Sequence, residues 1–258
     1  MLTIRQAQMD VFRNQARLDF ESEMAGYLKR YFPFEAANSD LDRWVQTGLD
    51  RASRLGFLTQ RECAMYLALM AMLGASFEED PLVPWAMEIL SQADEPSLDR
   101  ISRLYEKGIE YLESTSGPKG VWFDRAKRRM PRQDTSVLDR GVHARALSGR
   151  ISALLAESHP EKARVAGDKA LKILAKSAIE RAEQRGATTP RAALIQALHT
   201  FHLGSGFDED PCFPWAGAAL EGVAVKSPNE SMDARYDRLQ LETVDYFKRS
   251  LKFEGKRA

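Results

Sequence analysis

The sequence predicts an all-α protein built from two copies of one helical unit. Three observations carry that expectation. Apolar residues recur at helical spacing along most of the chain. Nowhere do four to eight β-branched or aromatic residues alternate as a strand requires. And one phrase is written twice: LGASFEEDPLVPWA at 73–86 and LGSGFDEDPCFPWA at 203–216.

The two phrases align without a gap, residue 203 answering residue 73, an offset of 130. Upstream at that offset Leu41 pairs with Leu171, Leu49 with Ile179, Asp50-Arg51-Ala52 with Glu180-Arg181-Ala182, Gly56 with Gly186 and Thr59 with Thr189. Still earlier the offset becomes 127, pairing Phe20 with Leu147, Met24 with Ile151, Leu28 with Leu155 and Pro33 with Pro160. Downstream it becomes 135, pairing Leu104 with Leu239, Ile109 with Val244 and Tyr111-Leu112 with Tyr246-Phe247. The offset changes only in expected loops, where insertions are tolerated. The reading is a tandem duplication of a roughly five-helix unit: a first repeat at 1–115, a linker at 116–134 and a second repeat at 135–258.

In the first repeat, Phe12, Ala16, Phe20, Met24, Leu28 and Tyr31 space out one helix face. A second helix carries Leu41, Trp44, Val45, Gly48, Leu49 and Ala52. Thr59-Gln60-Arg61-Glu62 reads as a capping box that opens a third helix running to Gly74. A fourth follows Pro84-Trp85, and a fifth runs from about 97 to 114. The second repeat places helices near 135–157, 166–185, 190–203, 213–222 and 230–251.

The repeated phrase reads as a helix–loop–helix corner. Gly74 and Gly204 end a helix at positive φ, which glycine adopts at little cost. Phe77 and Phe207 tuck beneath the turn. Asp80-Pro81 and Asp210-Pro211 have the order of an N-cap followed by a first helical proline. Pro84 and Pro214 limit where a regular helix begins, and Trp85 and Trp215 are expected to anchor it as buried aromatics.

At 258 residues the chain can hold one sizeable core or two of roughly 100–150 residues. Lys plus Arg equals Asp plus Glu, 37 each, so no whole-protein field draws in nucleic acid or an acidic membrane. The greasiest run, Ala64 to Gly74, is shorter than the roughly 20 residues a bilayer span needs, and the first residues are charged throughout, without a signal core. Cys63 and Cys212 form neither a disulfide framework nor a CxxC pattern. A cytoplasmic setting is the default expectation.

For chemistry, His199 and His202 lie one turn apart and are the weak candidates for a metal, but their counterparts are Leu69 and Met72, and no HExxH accompanies them. A structural role is therefore expected for both. The acids Glu78-Glu79-Asp80 and Asp208-Glu209-Asp210 are contiguous and followed by proline, unlike a calcium loop. GxGxxG, Walker A and GxSxG patterns are missing, so no cofactor and no catalytic residue are assigned. The linker holds Val121, Trp122, Phe123, Arg125, Lys127, Arg128, Arg129 and Arg132, a basic cluster beside aromatics. It is expected to dock on one repeat. It also offers a nucleic-acid alternative, testable by salt-sensitive binding.

The opening TIRQAQMDVFRNQARLDFESEMAGYLKRYFP, with LGFLT at 55–59 and FEEDPLVPWA, resembles all-helical accessory proteins encoded beside type VI secretion and polymorphic-toxin genes of Gram-negative bacteria. The resemblance spans residues 1 to about 115, and reaches the second copy through the corner phrase. It implies a non-enzymatic cytoplasmic protein that covers a partner protein, as an immunity protein or as a chaperone or adaptor. The expected contacts are the linker cluster first and the two acidic corners next. A metal-dependent enzyme using His199 and His202 is the competing class.

Overall fold

The computed structural model describes residues 6–139, 141, 143–222 and 230–254. The described residues form α-helices and short 3-10 turns, with no strand among them. Residues 1–5, 140, 142, 223–229 and 255–258, which include the ends of the first and last expected segments, lie outside the described residues. The first half contains α1 (Gln6–Tyr31), α2 (Pro33–Ala37), α3 (Leu41–Arg54), α4 (Gln60–Leu73), α5 (Pro84–Leu90) and α6 (Ser97–Ser116). Helix α7 (Val121–Arg129) follows. The second half contains α8 (Ala144–Ser158), α9 (Pro160–Gln184), α10 (Pro190–Leu203), α11 (Pro214–Glu221) and α12 (Met232–Glu254). No helix among the described residues is long and apolar enough to cross a membrane.

Each half is organised around one central helix. The sequences of α4 and α10 are apolar nearly all round, which only a buried helix sustains. Helices α3 and α6 pack against α4, and α9 and α12 pack against α10. Two apolar cores result. One gathers Trp44, Tyr66, Leu69, Phe77, Ile101 and Leu104 of the first half, the other Ile151, Leu174, Leu198, Phe201, Phe207 and Tyr236 of the second. The cores exchange residues at the corner: Leu82 is buried in the second core, while Cys212, at the matching position, packs on the first.

The start of α4 is the predicted capping box. Thr59 Oγ1 accepts the Glu62 amide, and Glu62 Oε2 accepts the amides of Thr59 at 2.9 Å and Leu58 at 3.0 Å. Glu62 Oε1 also takes the Ser97 hydroxyl at 2.5 Å, which ties α4 to the start of α6. That bond leads a set that holds the Glu62 carboxyl at about 2. The second half makes the same tie with the carboxylate moved to the other helix. Asp233, at the start of α12, accepts from the amides and hydroxyls of Thr188 and Thr189.

Several expectations need correction. Helix α1 buries Phe20, Met24 and Leu28 but leaves Phe12 63% and Tyr31 58% exposed. Every residue from Val11 to Asp19 is exposed, because this part of the helix runs past the elements α1 packs on, α2 and α3. The linker is largely helical, and α7 packs on α6 and α12, one helix from each half, rather than on a single repeat. In the second half the predicted helix at 166–185 is the later part of α9, which begins at Pro160 and bends at Gly167, φ 77° and ψ 161°. Helix α8 begins at Ala144, not near 135.

Candidate ligand cavity between the two halves

The repeated corners meet each other. Helices α4 and α10 end at Gly74 (φ 102°, ψ 157°) and Gly204 (φ 98°, ψ 165°), a backbone region that only glycine occupies without strain. The positive φ expected at both is present, although ψ lies far from the left-handed helical value. The two glycines lie back to back. A Cβ on Gly74 would come within 2.9 Å of the Leu203 carbonyl oxygen, and one on Gly204 within 2.6 Å of the Leu73 carbonyl oxygen.

Asp80 and Asp210 lock this contact. Asp80 Oδ1 accepts the Leu82 amide of its own turn at 2.8 Å, and Oδ2 accepts the Ser205 amide of the other half at 3.2 Å. Asp210 repeats the pattern, Oδ1 taking the Cys212 amide at 2.8 Å and Oδ2 the Ala75 amide at 2.9 Å. Neither aspartate is a helix N-cap. Helices α5 and α11 begin four residues later, at Pro84 and Pro214. Neither is a surface contact, since both are buried.

Beside the crossing lies a cavity of about 290 Å³, lined from both halves and from α7. Its apolar wall includes Leu28, Phe32, Met70, Met72, Val83 and Phe247. Its polar groups include Glu35, Asp80, Tyr111, Lys127, His159, Lys162, His202, Asp210 and Tyr246. Tyr111 and Tyr246 answer each other across the halves at offset 135. They are 8% and 3% exposed, and neither buried hydroxyl has a hydrogen-bond partner among the described residues. Trp85 lies against Tyr111 and Trp215 against Tyr246, with ring centroids 6.3 and 5.3 Å apart. These tryptophans are half-buried, so the fully buried aromatics of the corners are Phe77 and Phe207 instead.

Burial shifts the ionisable lining. Desolvation raises the carboxyls of Asp80 and Glu35 and moves Asp210 to about 6, against the pull of the amides each aspartate accepts. Desolvation lowers Lys162, whose ammonium donates to the Phe201 carbonyl at 2.5 Å and lies near the Phe201 ring. Burial and the Lys162 charge lower His159 to about 4 and hold His202 well below its ordinary value. Burial also raises both tyrosines, Tyr111 next to the charge of Asp80 and Tyr246 next to Glu35.

The two histidines on α10 face different neighbours. His199 bonds the Ile195 carbonyl and the Thr243 hydroxyl of α12 and is fully buried. His202 bonds the Ser158 hydroxyl and stacks on His159, ring centroids 6.2 Å apart. The pair therefore does not converge on one ion, and among the described residues no group of three His, Cys, Asp or Glu is placed to hold a metal.

The other residues singled out from sequence are dispersed. Glu78 pairs with Arg51 at 2.7 Å and Asp208 with Arg185, while Glu79 and Glu209 are exposed. On α7, Lys127 is buried between Asp124 at 3.0 Å and Glu254 at 2.6 Å, and Arg125 reaches Glu161. Trp122 lies half-buried against Gly117, Arg129 is half-buried, and Val121, Phe123, Arg128 and Arg132 are exposed. The linker charges do not pair with the acidic corners. Tyr111 and Tyr246 were visible in the sequence only as a matched pair of apparent core residues. Glu35 and Lys162 occupy matching positions at offset 127, and their opposite charges were the one signal that these positions face something other than core.

No family model, curated protein or solved structure matches this chain.

Proposed function

We propose that the chain is a tandem duplication whose halves close around a shared cavity, and that it is a binding protein for a small molecule held there. The duplication is supported by bonds made twice at matching positions. Arg51 pairs with Glu78 and Arg181 with Asp208, and Arg100 donates to the Leu90 carbonyl as Arg235 does to the Leu220 carbonyl. The Phe57 amide reaches the Ala52 carbonyl just as the Ala187 amide reaches that of Ala182.

The ligand reading rests on the two tyrosine hydroxyls, buried and unpartnered at matching positions of one cavity. An unmet buried hydroxyl costs about 1–3 kcal/mol, and a molecule that supplies the partner removes that cost. A melting-temperature screen against a small-molecule library tests this on the parent and on Tyr111→Phe/Tyr246→Phe. Compounds that raise the parent's Tm and lose most of that effect on the double variant support it. A double variant more stable than the parent, with no compound stabilising either protein, sinks it.

A second reading comes from α1, whose exposed stretch carries Val11, Phe12 and Leu18 into solvent. Such a projecting apolar segment suits docking onto a partner protein. It fits the immunity, chaperone or adaptor role in a toxin or secretion system that the resemblance implies, with the exposed side chains of α7 as a second contact. A stoichiometric complex with a toxin encoded nearby, lost in Val11→Ser/Phe12→Ser at unchanged Tm, would support it; retention of the complex in that variant would remove α1.

A further inference from the structure

The charge inventory of the cavity narrows its ligand, on the assumption that the ligand reading above holds. Three carboxylates line it: Glu35, Asp80 and Asp210. Two lysines line it, but Lys127 is already held by Asp124 and Glu254. Among the described lining residues that leaves Lys162 against three carboxylates. Lys162 and Tyr111 both feel the Asp80 charge. Glu35 and Asp210 instead bear on Tyr246 and Cys212. Their basic neighbours are engaged elsewhere: Lys127, whose charge acts on Glu35, by Asp124 and Glu254, and Arg51, whose charge acts on Asp210, by Glu78.

The surroundings of Glu35 and Asp210 are therefore short of free positive charge. Each aspartate accepts two backbone amides, and an ionised carboxylate has about four acceptor sites, so capacity remains. The Tyr246 oxygen, unpartnered among the described residues, feels the charge of both carboxylates and can accept a further proton donor. Phe32, Phe213, Tyr246 and Phe247 supply ring faces, which attract cations.

We propose that the cavity binds a small organic cation, an amine on an apolar body, with its ammonium held by Glu35, Asp210 and the Tyr246 oxygen. The body lies against Met70, Met72 and the rings, and the far end meets Tyr111 and Lys162. Those two are hydrogen-bond donors, so an acceptor at the far end completes the match.

Calorimetric titration with size-matched probes tests the charge preference: 2-phenylethylammonium, 2-phenylethanol and phenylacetate, each on the parent, Glu35→Gln and Tyr246→Phe. The expected order is ammonium over alcohol over carboxylate, with the ammonium bound about tenfold more tightly than the alcohol, the value of one charge-assisted hydrogen bond. Glu35→Gln is expected to erase that preference while leaving alcohol binding in place. Alcohol or carboxylate bound as tightly as ammonium overturns the cation inference and leaves the small-ligand reading standing. Failure of all three probes, with the parent folded, overturns both.

Discussion

Asp210 takes the amide of Ala75 from the opposite half at 2.9 Å while its second oxygen caps its own turn. Asp80 does the same in reverse with Ser205 and Leu82. The repeated phrase thus has a physical reason to be repeated: each copy of the corner is the other copy's binding partner. A surface loop would not need its partner to keep the same aspartate, glycine and phenylalanine.

Removing either aspartate leaves two buried amides without an acceptor. Asp80→Ala and Asp210→Ala are each expected to lower unfolding free energy by about 2 kcal/mol, with Asn milder because it keeps one acceptor oxygen. Because both act on one contact, the double variant should depart from additivity. Urea denaturation measures this. Single variants that unfold like the parent would remove the crossing as a stabilising element.

The glycine pair has no room for a methyl group. Gly74→Ala and Gly204→Ala each meet a carbonyl of the opposite half and force positive φ on alanine. Strain of about 1–3 kcal/mol is expected from the backbone alone. Gly167→Ala, in the same backbone region (φ 77°, ψ 161°) but facing open space, isolates the backbone part. If all three variants melt alike, the close approach of the halves contributes nothing.

The aromatic hierarchy follows burial. Phe77→Ala and Phe207→Ala remove fully buried rings and should cost about 3–5 kcal/mol. Trp85→Ala and Trp215→Ala remove half-buried rings and should cost less, despite the larger side chains. Thermal melts of the four variants decide the order, and a greater loss at the tryptophans would contradict it.

Acid should destabilise the protein through its histidines. His159 and His199 are lowered from 6.5 to about 4, so the unfolded chain binds more protons between those values. Stability from each, roughly 3 kcal/mol, is present above pH 6.5 and lost as pH falls towards 4. Asp210 acts in the opposite sense: raised from 3.8 to about 6, it adds stability at low pH that is lost as pH rises through that window. His202 adds to the histidine side, and the raised carboxyls of Asp80 and Glu35 add to the side of Asp210, so a single-histidine variant is the clean test. His199→Leu, which installs the residue found at matching position 69, should flatten the change between pH 7 and 5 in urea denaturation. An unchanged slope would contradict the assignment.

Much of the fold was legible because helices announce themselves locally. The capping box at Thr59-Glu62, the glycine stops and the all-apolar α4 and α10 need no tertiary information. The site was not legible for the opposite reason. Tyr111 and Tyr246 follow the same periodicity as core residues, and only the docking of the two halves brings both to the lining of one cavity. Asp80 looked like a helix cap because Asp-Pro is a common helix start, but a second proline, Pro84, takes the first turn and frees the aspartate to reach across. Phe12 and Tyr31 fit a buried stripe by spacing, yet spacing cannot tell where a helix outruns its neighbours.

The most direct test of a ligand cavity between the halves is a methyl NMR titration of protein labelled at methionine with carbon-13. Met70 and Met72 line the cavity, whereas Met87 is exposed elsewhere. With 2-phenylethylammonium added, the account expects saturable shifts of the Met70 and Met72 methyls while Met87 stays in place. Methyls that do not move, or that move together without saturating, would contradict it.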